Sequence, residues 1–255
     1  AGRNFCGGAD IREFNTPNRA VRPMTRHLMN LVEESDKPVV AAIHGPTLGG
    51  GLELAMGCHY RIVDSEAKLG LPEVHRGVVP GAGGTQRLPR LVGFQKGLEM
   101  ITSGTPVDAA TALEIGLVDR IVTDADLVAR AIAYASKLVE QNVVPRRTSE
   151  IEIDLNLKEG EAVVAEVRAR LEKSARGMEA PFRCLESVAN TLTMSFRDGW
   201  AREAEISEEA VASDESRSLV HSFFAERQTS KIPDIPADIP RRKIEKVAIL
   251  GAGTM

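Results

Sequence analysis

The chain has 255 residues, 43 % of them hydrophobic and 27 % charged, which is the balance of a globular protein large enough for a real core. A net charge of −4 and an aromatic content of 4 % supply neither a field for phosphate backbones nor stacking platforms, which excludes nucleic acid as a partner class. Three cysteines without a CxxC pair and five histidines without HExxH spacing point to neither a disulfide framework nor a metal, and no apolar run approaches the roughly 20 residues that span a bilayer.

In chain order, AGRNFCGGAD opens without an initiating Met directly on a glycine turn, and the opening reads as a cut inside a domain. Residues 20–34 place Val21, Met24, His27, Leu28 and Leu31 on one helical face. After Pro38, the run VVAAI at 39–43 reads as a buried strand. Gly49-Gly50-Gly51 precedes a short helix through Leu52 and Met56 that Gly57 ends. Residues 60–63 and 67–71 read as strands, and the glycine turn 80–84 leads into a helix from about Thr85. A helix at 106–116 and a strand at 117–122 complete an alternation that argues for an α/β core.

Beyond Asp124 the pattern is helical, with helices expected at 124–141, 157–177, 181–196 and 200–227. PDIPADIP then breaks the pattern as a semi-rigid linker. KVAILGAGTM begins a strand at 247–250 and stops after G-x-G, a second cut.

Three glycine turns and two glutamates carry the chemical signal. In FCGGADI the paired glycines let backbone approach a ligand closely, although an ordinary turn capped by Asp10 explains the same residues. In HGPTLGGGLE three glycines sit at a helix start, where outward N–H groups favour negative charge and can stabilise an oxyanion. Glu53 could equally do no more than complement the helix dipole. Glu73 precedes the third turn, PGAGGTQR, which is neither a Walker loop nor G-x-G-x-x-G, and alone it reads as a surface carboxylate.

FCGGADI, AAIHGPTLGGGLELA and LGLPEVHRGVVPGAGGTQRLPRLVG, in that order, closely resemble the crotonase (enoyl-CoA hydratase/isomerase) superfamily over residues 5–122. The interval from Glu53 to Glu73 matches its hydratase branch. The helical region and KVAILGAGTM resemble β-oxidation multifunctional enzymes, in which a hydratase is joined to an NAD-dependent 3-hydroxyacyl-CoA dehydrogenase. The resemblance implies an α/β crotonase-type spiral core at 1–123, a C-terminal helical extension at 124–228 and a linker at 229–243. The first strand of a Rossmann domain would follow at 244–255.

It further implies that Ala9 and Gly50 are backbone donors of an oxyanion hole, that Glu53 and Glu73 hold and activate a water, and that Gly81 helps fix it. Gly7, Asp10 and Ile11 match positions along the CoA path, with Arg12 a candidate for a CoA phosphate. Gly251, Gly253 and Met255 belong to the NAD fingerprint of the dehydrogenase. Hydration itself would need no cofactor beyond the CoA thioester. The implied partners are an acyl-CoA, a thiolase subunit or a second copy of the chain. The implied compartment is the bacterial cytoplasm or, as the alternative, the peroxisome.

Overall fold

A computed structural model of the chain describes residues 2, 4–14, 16, 25–123, 126–229, 243–248, 250 and 251. The described residues up to Val220 form one compact unit and those from His221 a second.

The first unit is built on two small sheets. β1 (Val40–Ile43), β3 (Tyr60–Asp64) and β6 (Arg120–Val122) run parallel in the order β1-β3-β6, with Val40 opposite Tyr60 and Ile62 opposite Arg120. β2 (Pro46–Leu48) pairs parallel with β4 (Lys68–Gly70), which pairs antiparallel with β5 (Val107–Asp108). Ile43, Val63 and Leu69 are fully buried, as expected of parallel strands covered by helices.

The helices are α1 (Thr25–Glu33), α2 (Gly50–Gly57), α3 (Gly84–Val92), α4 (Phe94–Ser103), α5 (Ala109–Glu114), α6 (Leu127–Glu140), α7 (Leu157–Ser174), α8 (Ala180–Ala189), α9 (Phe196–Val211) and α10 (Asp214–Thr229). Glycines set how closely several of them approach. A β-carbon at Gly97 would lie 2.8 Å from Pro89 Cα, so α3 and α4 pack with backbone nearly in contact. Buried residues of α8 and α9, among them Leu185, Val188 and Ile206, join the same hydrophobic cluster as Leu52, Leu71 and Leu98. The helical region after residue 123 is thus part of the unit that contains the strands.

Four expectations need correction. The stretch HGPTLGG holds a strand, β2, whose carbonyls and amides pair with β4 behind the glycine turn. The helix expected from about Thr85 is α3, which Gly93 at φ 83° separates from α4, whereas the one expected at 200–227 is two helices, α9 and α10, parted at Ala212 and Ser213. The helix expected at 106–116 starts only at Ala109, where Asp108 caps it by accepting from Thr111 N–H at 2.8 Å. Finally, residues 247 and 250 are 80 % and 98 % exposed and carry no strand assignment, because no described strand lies alongside to complete their backbone pairing. The second unit's described residues are the rest of α10 and this exposed tail.

Two buried polar side chains brace the core. His59 accepts from Val39 N–H at Nδ1 and its Nε2 meets Glu33 O, both at 2.9 Å, which makes it a structural histidine. Arg87 has no exposed surface; it donates to Glu33 Oε2 at 2.7 Å and to Asn30 Oδ1 at 2.9 Å, tying α3 to α1. Removing one member of such a pair strands the other charge in the interior. Arg87→Ala is therefore expected to lower unfolding free energy by about 3–5 kcal/mol in urea denaturation, and Arg87→Met with Glu33→Gln to recover more than half. An unchanged midpoint for Arg87→Ala would overturn this reading of the pair.

Candidate active site

Residues 5–9 lie across the start of α2. Phe5 N–H donates to His44 O at 2.9 Å and Leu48 N–H to Cys6 O at 3.3 Å. Cys6 O is pressed so closely on Gly51 that a β-carbon there would overlap it, and one at Gly8 (φ 97°) would sit 2.8 Å from Leu48 O. The glycines of both motifs are thus explained by one close backbone contact. Its result is that Ala9 N lies 3.6 Å from the β-carbon position of Gly50. Gly50 is the first residue of α2, where amides have no intrahelical acceptor, and no described residue accepts from Ala9 N–H or Gly50 N–H.

Two carboxylates converge on the same turn. Glu53, one turn into α2 and buried, points Oε1 at Ala82 N–H and Gly84 N–H, both 2.8 Å away. Its other oxygen, Oε2, is 3.9 Å from the β-carbon position of Gly50. Glu73 comes from the 3-10 helix Pro72–Arg76, and its Oε1 is 2.7 Å from the β-carbon position of Gly49, which takes φ 55°. Any side chain at Gly49 would push this carboxylate away. Glu73 Oε2 is shielded from solvent and has no hydrogen-bond partner among the described residues, as befits a group facing a ligand.

Burial pushes both glutamates up from the usual carboxylate range. For Glu53 the amides of Ala82 and Gly84 and the charges of Arg87 and Arg26 oppose that rise. For Glu73 the neighbouring Glu53 adds to it, so Glu73 is raised well above its ordinary value. The site therefore holds one carboxyl suited to charge and one suited to keeping a proton.

A third buried carboxylate was not among the expected residues. Glu203 of α9 has no exposed surface; Oε1 accepts from Gly83 N–H at 2.6 Å, and Oε2 from Thr85 N–H at 2.8 Å and Thr85 Oγ1 at 2.5 Å. Burial, then Glu53, pushes it up to about 8. The available signal was its place between Gly199 and Ile206 on the buried face of an amphipathic helix, where a lone glutamate needs donors.

Of the other expected residues, Gly81 sits on the turn before α3, where a β-carbon would collide with Ser207 Oγ of α9. Asp10 caps the 3-10 helix Ile11–Glu13 by accepting from Arg12 N–H at 3.0 Å, and its carboxylate pairs with the Arg12 guanidinium at 2.6 Å on the exposed surface. Gly7 is exposed beside them. Gly251, at φ 91°, is exposed in the second unit, and Gly253 and Met255 lie outside the described residues. Among the described residues no cluster could hold a metal, and no helix is long and apolar enough to cross a membrane. Two clefts of ≈ 390 and ≈ 410 Å³ lie elsewhere, one by Arg90, Glu150 and Phe196, the other by Arg120, Tyr134 and Lys137.

Comparison with known proteins finds that the profile of the Enoyl-CoA hydratase/isomerase family matches residues 1–171. The chain is 41 % identical over 257 residues to a zebrafish (Danio rerio) peroxisomal bifunctional enzyme, covering 98 % of this chain and 35 % of that protein. It is 41 % identical over 261 residues to the Arabidopsis thaliana peroxisomal fatty acid beta-oxidation multifunctional protein MFP2, covering 98 % and 36 %. It thus spans about a third of the length of these curated relatives. Among solved structures, an enoyl-CoA hydratase/isomerase from Pseudoalteromonas atlantica superposes with a TM-score of 0.61 at 25 % identity, covering 89 % of this chain and 76 % of that one.

The raised carboxylates set a pH dependence of stability. Between the ordinary 4.5 and about 8, folded Glu203 keeps a proton that an unfolded glutamate has lost, so the folded state binds more protons. Its contribution is full below 4.5 and is lost as pH rises through about 8; Glu53 and Glu73, shifted the same way, add to the trend. Urea midpoints of the wild type are expected to fall between about pH 5 and about pH 8, and to fall less in Glu203→Gln. A wild-type midpoint that climbs steadily across that window would contradict the assignment.

Proposed function

The chain belongs to the enoyl-CoA hydratase/isomerase family, and from that premise we propose that it adds water across a 2-trans-enoyl-CoA to give a 3-hydroxyacyl-CoA in fatty-acid β-oxidation. The observation that carries this is the convergence on one turn of Glu53 Oε2, Glu73 and the amides of Ala9 and Gly50, which have no acceptor among the described residues.

An isolated alkene does not accept water; a thioester carbonyl gripped by two N–H donors draws electron density out of it. Ala9 and Gly50 supply those donors, and by analogy with acyl transfer each is worth about 2.7–4 kcal/mol to the developing enolate. Glu53, anchored through Oε1, uses Oε2 to take a proton from water as the oxygen bonds to the β-carbon. The alkene electron pair moves onto the thioester oxygen. As the enolate collapses, protonated Glu73 delivers its proton to the α-carbon, and a proton passing from Glu53 to Glu73 resets the pair.

The same two carboxyls moving a proton between carbons over the same enolate would give Δ3-Δ2-enoyl-CoA isomerisation, and the family's own description supports keeping both activities in view. We propose Gly7, Asp10, Ile11 and Arg12 as the edge of the CoA path, since they border Ala9 at the surface, and Gly81 as a support of the water. The names of the relatives, bifunctional and multifunctional, support a longer protein with a further activity, and we propose that this is the NAD-dependent 3-hydroxyacyl-CoA dehydrogenase that the terminal G-x-G resembles, with Gly251 at the start of its dinucleotide turn. Those names also favour the peroxisomal alternative over the bacterial cytoplasm.

The test uses the full-length protein and crotonyl-CoA without NAD, following loss of the conjugated thioester absorbance. Glu53→Gln is expected to reduce hydration by about a hundred- to ten-thousand-fold while acyl-CoA binding persists. An active Glu53→Gln enzyme would remove Glu53 from the mechanism. A wild type inert to short and long enoyl-CoA would remove the hydratase reading.

A further inference from the structure

The turn that anchors Glu53 is gripped from both sides. Four consecutive amides alternate between two carboxylates: Ala82 and Gly84 donate to Glu53, and Gly83 and Thr85 donate to Glu203. Gly83, at φ 104°, turns the backbone so that successive N–H groups can face opposite ways. We propose that Glu203 is a positioning residue for Glu53, holding the 82–85 turn from the α9 side so that two amides stay aimed at Glu53 Oε1 and Oε2 is left facing Gly50. The inference rests on Glu53 acting as the base described above.

The surroundings of Glu203 favour that role over simple helix packing. An apolar side chain would fill the same space without the desolvation cost of a carboxyl, but would leave the Gly83 and Thr85 amides without acceptors. The hydroxyl relay behind it also accommodates either protonation state. Thr85 Oγ1 meets Ser187 Oγ at 2.7 Å and receives Gln86 Nε2 at 3.1 Å, so it can donate to a charged Glu203 or accept from a neutral one. Gln86 is fixed in turn by Ser187 O at 2.9 Å, and Gly199 leaves room for it under α9. Glu203 thus keeps its hold on the turn across the pH range in which it titrates.

The charged and titratable groups around the two carboxylates are Arg26 on α1, Glu73 on the Pro72–Arg76 turn, Arg87 on α3 and Cys184 on α8. None of them contacts the amides of Gly83 or Thr85 as Glu203 does. If the turn loosens, Glu53 loses the two donors that favour its charged form, and it titrates at higher pH.

Glutamine offers one acceptor oxygen where glutamate offers two, and alanine offers none, so the effect is graded. In the full-length protein labelled with carboxyl-carbon-13 glutamate, Glu53 is expected to titrate upward in the order wild type, Glu203→Gln, Glu203→Ala, with its resonance assigned by Glu53→Gln. The acid limb of the kcat–pH profile is expected to follow. Glu203→Ala should lose about tenfold or more in kcat with KM changed less than about twofold, because base geometry rather than substrate binding is damaged. If the alanine variant does not fold, the wild type and Glu203→Gln still decide the ordering. An identical Glu53 titration in those two proteins overturns the proposal. A wild type without turnover would instead sink the hydratase reading alone, since the carbon titration needs no substrate.

Discussion

A carboxylate taken out of water must be given donors, or it takes up a proton or destabilises the fold. Three glutamates meet this constraint at the centre of the molecule, and the surrounding structure is arranged around how each does so. Glu53 and Glu203 share the amides at the start of α3. That needs a turn of small residues whose N–H groups are not yet committed to helical bonds, and PGAGGT is such a turn. Glu73 receives no such donors on its buried oxygen and has Glu53 for a neighbour, so it is the one of the pair that holds a proton most firmly. Unequal donor supply, rather than unequal burial alone, separates the two partners.

The glycines fall into place under the same constraint. Gly8 and Gly51 let one backbone segment lie directly on another, which brings the Ala9 and Gly50 amides side by side without a side chain between them. Gly49 clears the space in front of Glu73, and Gly84 donates to Glu53 at the same 2.8 Å as Ala82, with no room for a β-carbon beside Oε1. The site is therefore mostly backbone, and its chemistry depends on what is left out of the side chains as much as on what is present.

Much of this was legible in the sequence, because glycine clusters and the two glutamates lie within short motifs whose order carries the information. The rest was hidden for identifiable reasons. β2 reads as part of a turn because it is three residues long, starts on Pro46 and is flanked by Gly45 and Gly49-Gly50-Gly51, and only pairing with β4 reveals it. The break between α9 and α10 is concealed by the helix-forming residues on both sides. Glu203 lies 150 residues beyond Glu53 in a stretch whose helical periodicity is ordinary, so nothing local marks it as belonging to the site. Arg12, the best surface cation near the glycine turn, already has an ionic partner in Asp10, which charge pattern alone does not disclose.

The bonds from Gly83 and Thr85 to Glu203 cross 120 and 118 residues of chain. Contacts of such long sequence separation are slow to form, since a large loop must close before they are rewarded. As the chain leaves the ribosome, the strands, α2 and the glycine turns are all synthesised well before α9 arrives to cap the turn from behind. A nascent chain that has not reached Glu203 can assemble most of its core, yet it holds its base on an unbraced loop. Competence for chemistry would thus wait for α9, well after the glycine turns and both catalytic glutamates have been synthesised.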